Sequence, residues 1–111
     1  MDLQTRIENN AIVISISGRL DAVTAPEYEK RIRELIDKGN IFIVVDFEHL
    51  DYISSAGLRG LLVMAKLLNA KGGRACLASV KGNVLSVFDM CGLTTVFKME
   101  NSVAEALGTL A

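Results

Sequence analysis

The chain has 111 residues, half of them apolar, with 12 Lys/Arg against 13 Asp/Glu and a formal charge of −1. That length suits one domain over residues 1–111, and the apolar share supports a core without staples. Cations and anions are interspersed, so nothing resembles a nucleic-acid footprint. No apolar run approaches the roughly 20 residues needed to cross a bilayer, and the first ten residues lack a signal peptide's apolar centre. The expected setting is the cytoplasm, without membrane insertion.

The first candidate element is "LQTRIE", a weak strand closed by the turn Asn9-Asn10. "AIVISISG" (Ala11 to Gly18) then alternates, with Ile12, Ile14 and Ile16 on one side and Val13, Ser15 and Ser17 on the other. A period of two predicts a half-buried strand. "TAPEYEKRIRELIDKG" predicts a helix. Thr24 and Glu27 have capping-box spacing, Pro26 falls in the first turn, and Tyr28, Ile32, Leu35 and Ile36 form an apolar stripe. Gly39 ends it.

"IFIVVDF" (Ile41 to Phe47) is apolar on both faces, which predicts a central strand followed by a short acidic loop. "SAGLRGLLVMAKLLNAKGG" predicts a second helix that stops at Gly72-Gly73. Its core stripe reads Leu58, Leu61, Leu62, Ala65 and Leu68, with Val63, Met64 and Leu67 off the stripe. A helix apolar nearly all round is either packed on two sides or partly open to a partner. Burial is the ordinary explanation, and a groove at Val63 and Met64 the sharper one.

"RACLASV" predicts a short buried strand, and "KGNVLSVFDMCG" a helix with Val84, Leu85, Phe88 and Cys91 inward. "TTVFKM" predicts an edge strand. "NSVAEALGTL" predicts a last helix with a second capping box, Ser102 and Glu105, and an apolar face of Val103, Ala106, Leu107 and Leu110. Cys76 and Cys91 read as reduced core residues. The alternation of strands and helices predicts a small α/β domain. Its mixed sheet would have four to five strands, with about four helices and parallel crossovers.

No P-loop, dinucleotide-binding glycine motif or nucleophile elbow is present. One histidine, His49, and two cysteines make a zinc site improbable, and no cofactor is implied. His49 reads as a surface loop residue. Asp21, Asp46, Glu48 and Asp51 fall near the C-terminal ends of strands, the edge where open α/β sheets build sites. They could serve a metal or a nucleotide, though such loops are ordinarily just solvated.

The pair Ser54-Ser55 is more informative. It stands where a strand's end becomes a helix start, beside Asp51. N–H groups in a helix's first turn lack internal partners, and the dipole is positive there. One serine could simply cap the helix, worth about 1 kcal/mol. A phosphate would also be tolerated there, and would place roughly 1.5 to 2 negative charges on the surface. A partner docked over that surface would meet repulsion, and each ~1.4 kcal/mol of cost weakens binding tenfold.

"ISGRLDAVTAPEYEKRI", "VVDFEHLDYISSAGLRGLL" and "VFDMCGLTTVF" resemble, in order and spacing, the bacterial anti-sigma factor antagonists, which are stand-alone STAS domains. The resemblance implies partner switching. The unmodified protein would bind an anti-sigma factor that is also a serine kinase, freeing a sigma factor. Phosphorylation at the helix start would release the kinase, and a PP2C-type phosphatase would reverse the mark. By position the modified residue corresponds to Ser55, with Ser54 as the second candidate. The partner surface implied comprises Asp21, Asp51, Ser54, Ser55, Gly57, Arg59 and Val63, with no catalytic residue. STAS-like domains also serve as structural subunits of transport or stress-signalling complexes, where the serines would be caps only.

Overall fold

The computed structural model describes residues 1–110. β1 (Asp2–Glu8) and β2 (Ala11–Leu20) form an antiparallel hairpin in which Glu8 faces Ala11. Asn9 and Asn10 both have positive φ, 49° and 64°, as a tight two-residue hairpin turn requires. The chain continues through α1 (Ala25–Asp37), β3 (Phe42–Ile53), α2 (Ser55–Ala70), β4 (Arg74–Ala78), α3 (Gly82–Met90), β5 (Lys98–Glu100) and α4 (Val103–Leu110). The sheet order is β1-β2-β3-β4-β5, and every pair after the hairpin is parallel. This is the mixed five-stranded sheet with four helices that the alternation predicts.

Two apolar clusters sandwich the sheet. Ile12, Ile14, Ile16, Ile43, Val45 and Leu77 pack against Tyr28, Ile32, Leu61, Leu68, Val84 and Phe88 of α1, α2 and α3. On the other face Val13, Val44, Cys76 and Ala78 meet Ala106, Leu107 and Leu110 of α4. The half-buried reading of β2 therefore fails at Val13, because α4 covers it. Burial pushes the Cys76 thiol up to about 11.

Several expectations change in detail. β3 runs on to Ile53 instead of ending at Phe47 in an acidic loop. Glu48 to Tyr52, polar except for the buried Leu50, keep strand geometry because β2 extends to Leu20 alongside, with register shifts near Ser17 and Gly18. His49 is thus an exposed strand residue opposite Ser17, not a loop residue. β5 is only Lys98–Glu100, and Thr94 to Val96 form a turn. Cys91 lies past the end of α3 and is exposed, while Leu85 is half-buried.

Helix α2 is packed on two sides. Met64, off the expected stripe, is fully buried, and its sulfur accepts a hydrogen bond from the Tyr28 hydroxyl at 3.3 Å. Leu62 and Ala65, on that stripe, are only half-buried, as is Val63. A Cβ on Gly60 would stand 3.3 Å from Tyr28 Cδ2, which shows how closely α1 and α2 approach. Two-sided burial explains the helix's apolar character, and no groove opens at Met64.

Candidate functional site

The site forms where the C-terminal ends of β2 and β3 meet the start of α2. β3 ends at Ile53, and the Ser54 N–H donates to the Leu20 carbonyl at 3.0 Å. That bond ties the helix start to β2. Ser54 has an extended backbone and is the N-cap, with its Oγ accepting from Gly57 N–H at 3.4 Å. Ser55 is the first helical residue and is exposed. The two serines therefore hold different posts. One closes the backbone of the helix, and the other offers its hydroxyl to solvent.

No acidic residue lies in the first turn of α2. The positive end of the helix dipole is not offset there by the helix's own side chains. Arg59 is exposed one turn along. Gly57 is buried, so it does not belong to an exposed contact surface. A Cβ at Gly57 would stand 2.6 Å from the Leu20 oxygen and 2.8 Å from Ile53 Cγ1. Glycine is required because helix and strand backbones meet there. Val63 lies two turns further on and is half-buried.

The β2–α1 turn stands beside the helix start and is braced from within. Asp21 Oδ1 accepts from Val23 N–H at 3.0 Å and Thr24 N–H at 3.1 Å. The Thr24 hydroxyl donates to the Arg19 carbonyl and accepts from Asp21 N–H, each at 2.9 Å. The Thr24–Glu27 capping box therefore does not form. Thr24 makes no side-chain cap, because its hydroxyl is spent on the turn. The N–H donated by Thr24 holds the Asp21 carboxyl below the usual carboxylate range, helped by the Val23 N–H and the Arg19 side chain.

A cation–π contact beside the turn escapes the sequence reading. The Arg19 guanidinium lies over the Tyr52 ring, 4.1 Å from its centre, with Nε 3.5 Å from Asp21 Oδ2. Arg19 and Tyr52 are register partners across β2 and β3. Only the true length of β3 makes them neighbours, so the signal was hidden with the strand. Asp51 is exposed and takes part in no ion pair among the described residues. Glu48 is paired with Lys81 at 2.9 Å, which draws its carboxyl below the usual range.

The structure thus brings Asp21, Ser54 and Ser55 to one edge of the sheet, with Asp51 at the end of the same strand. It does not gather the acidic residues into a metal site: among the described residues no three of His, Cys, Asp or Glu are grouped to hold an ion. No helix of the described residues is long and apolar enough to cross a membrane.

A mixed five-stranded sheet flanked by four helices, with an exposed serine at the start of one of them, defines a small α/β domain. The chain belongs to the STAS domain family, whose pattern matches residues 2–106. BtrV of Bordetella bronchiseptica, named for anti-sigma factor antagonism, is 35% identical over 91 residues, covering 82% of this chain and 78% of BtrV. A Thermotoga maritima crystal structure, described as of an anti-sigma factor antagonist, superimposes with a TM-score of 0.92 at 20% identity. It covers 97% of this chain and 93% of that one. SpoIIAA, a Bacillus cell fate determinant solved in its phosphorylated form, gives a TM-score of 0.76 at 24% identity, covering 99% of this chain and 100% of SpoIIAA. At those identities the two structures speak for the fold.

Proposed function

We propose that this protein is an anti-sigma factor antagonist that works by partner switching in the cytoplasm and catalyses no reaction itself. In its unmodified form it binds an anti-sigma factor with serine kinase activity, which frees a sigma factor. The kinase phosphorylates Ser55 and is then released, and a PP2C-type phosphatase restores the binding form. Asp21, Asp51, Ser54 and Arg59 frame the contact surface, and the half-buried Val63 borders it.

The observation that carries this reading is the division of labour at the start of α2. Ser54 makes the cap, so Ser55 is free to be modified without loss of the helix. A phosphate on Ser55 would project from the first turn, where the helix dipole tolerates it. The backbone need not move. The change is confined to roughly 1.5 to 2 added negative charges beside Asp51, and a docked partner would feel it as repulsion and desolvation. The names of the relatives and the fold shared with a phosphorylated SpoIIAA support the same reading.

The test is a pull-down from native lysate with the unmodified chain and with Ser55→Asp, followed by affinity measurement on any kinase captured. The expected result is a serine kinase held by the unmodified chain and by Ser55→Ala, with Ser55→Asp at least tenfold weaker. Equal binding by Ser55→Asp would end the switch model. Capture of a transporter subunit instead, with Ser55 unmodified in cells, would favour a structural role for the domain.

A further inference from the structure

A cavity of about 480 Å³ opens at the other end of the sheet, away from Ser55. It exists because β5 is short. β5 pairs with β4 only from Cys76 onward, so the first residues of β4, Arg74 and Ala75, have no strand on that side. The gap is walled by the C-terminal halves of α2 and α4 and by the turn before β5. Leu68, Phe97 and Leu110 give it an apolar floor, and Val96, more than half exposed, stands at its wall.

Among the described residues, the charged side chains of the lining are both cationic. Arg74 and Lys98 both border the cavity, and no Asp or Glu among the described residues does. Arg74 is held in place: its Nη2 donates to the Leu110 carbonyl at 3.0 Å, and its guanidinium lies 5.8 Å from the centre of the Phe42 ring. A guanidinium has five N–H donors, so one such bond leaves others to serve a ligand. Lys98 is exposed, with the Glu100 carboxylate 3.8 Å away. The volume falls within the range of small-molecule sites, which are mostly apolar with a few polar groups that fix orientation.

We propose that this cavity is a binding site for a small amphipathic carboxylate, an acid with a short hydrocarbon body. The carboxylate pairs with Arg74 and Lys98, and the hydrocarbon lies along Leu68, Phe97 and Leu110. Guanidinium–carboxylate pairing sets the head group, and burial of the methylenes supplies most of the affinity. This site is independent of the partner-switching reading.

The test is an amide NMR titration of the full chain with sodium octanoate. The controls are 1-octanol for the tail, acetate for the head and octylammonium for the sign of charge. Saturable shifts are expected at Leu68, Arg74, Phe97 and Leu110, with each control at least tenfold weaker. Lys98→Gln should lower affinity several-fold and Lys98→Arg should restore it. Because Arg74 also holds Leu110, Arg74→Lys serves there, with an unchanged spectrum elsewhere as the check on folding. Absence of saturable binding, octanol binding as tightly as octanoate, or indifference to Lys98→Gln would overturn the proposal.

Discussion

Two helix starts in this protein use a serine in the same way and end up chemically opposite. At α4, Ser102 Oγ accepts from Glu105 N–H at 3.1 Å, and the Glu105 carboxylate reaches back to Asn101 N–H at 3.3 Å. The positive end of that helix is already met by a carboxylate from its own first turn. At α2, Ser54 makes the same cap but the first turn carries no acid, and the next residue is a second, exposed serine. The α4 start already carries a carboxylate of its own, folded back onto the Asn101 N–H, whereas the α2 start carries none. The difference separates a start whose charge is met from within from one that leaves a serine hydroxyl open to solvent.

The glycines of the two helices give the largest expected contrast. Gly57→Ala would drive a Cβ into the Leu20 carbonyl and the Ile53 side chain, and should cost about 2–3 kcal/mol in urea denaturation. Gly108, inside α4, is surrounded by open space, with no atom within 4 Å of where a Cβ would stand, so Gly108→Ala should stabilise by about 0.5–1 kcal/mol. A neutral Gly57→Ala would mean that α2 is not seated on β2 as described.

Next come the caps. Ser54→Ala and Ser102→Ala should each cost about 1 kcal/mol, whereas Ser55→Ala should stay within about 0.5 kcal/mol of wild type. Equal losses at Ser54 and Ser55 would erase the division of labour between them. Ser55→Asp should stabilise the fold by about 0.3–1 kcal/mol through the helix dipole, while weakening partner binding. Stability and affinity moving in opposite directions is the mark of a charge placed well for the helix and badly for the partner.

The smallest effect is at acid pH. Asp21 is held below its ordinary carboxylate value of 3.8 by the turn's N–H groups. Its contribution is therefore present above that value and lost as pH falls through the lower, folded-state one. Asp21→Asn should flatten the stability profile of the protein below about pH 4. An unchanged profile in the variant would remove Asp21 from the acid response.

Local patterning made much of the fold legible. The hairpin turn at Asn9-Asn10, the buried Tyr28, Ile32 and Ile36 of the α1 stripe and the Ser102 cap of α4 depend on residues near one another in sequence, and all appear as expected. Most of the misreadings share one cause, which is a partner distant in the chain. α4 buries Val13, the end of β2 keeps Glu48 to Tyr52 in a strand, and Tyr28 draws Met64 inward. Thr24 had capping-box spacing, but Asp21 and Arg19 claimed its hydroxyl. At the candidate site the helix start and its serines were readable. The Arg19–Tyr52 stack and the need for glycine at 57 were not, because each depends on β2 lying beside β3 or the helix start; the braced turn was not, because Thr24 could equally have capped α1.

The most direct test of the account compares the chain carrying phosphoserine at position 55 with the unmodified chain, on the same sample of purified kinase partner. The prediction is an affinity at least tenfold lower, with amide NMR shifts confined to the start of α2 and the turn around Asp21. Undiminished affinity, or shifts spread through the sheet, would contradict a switch that acts by charge at an otherwise unmoved helix start.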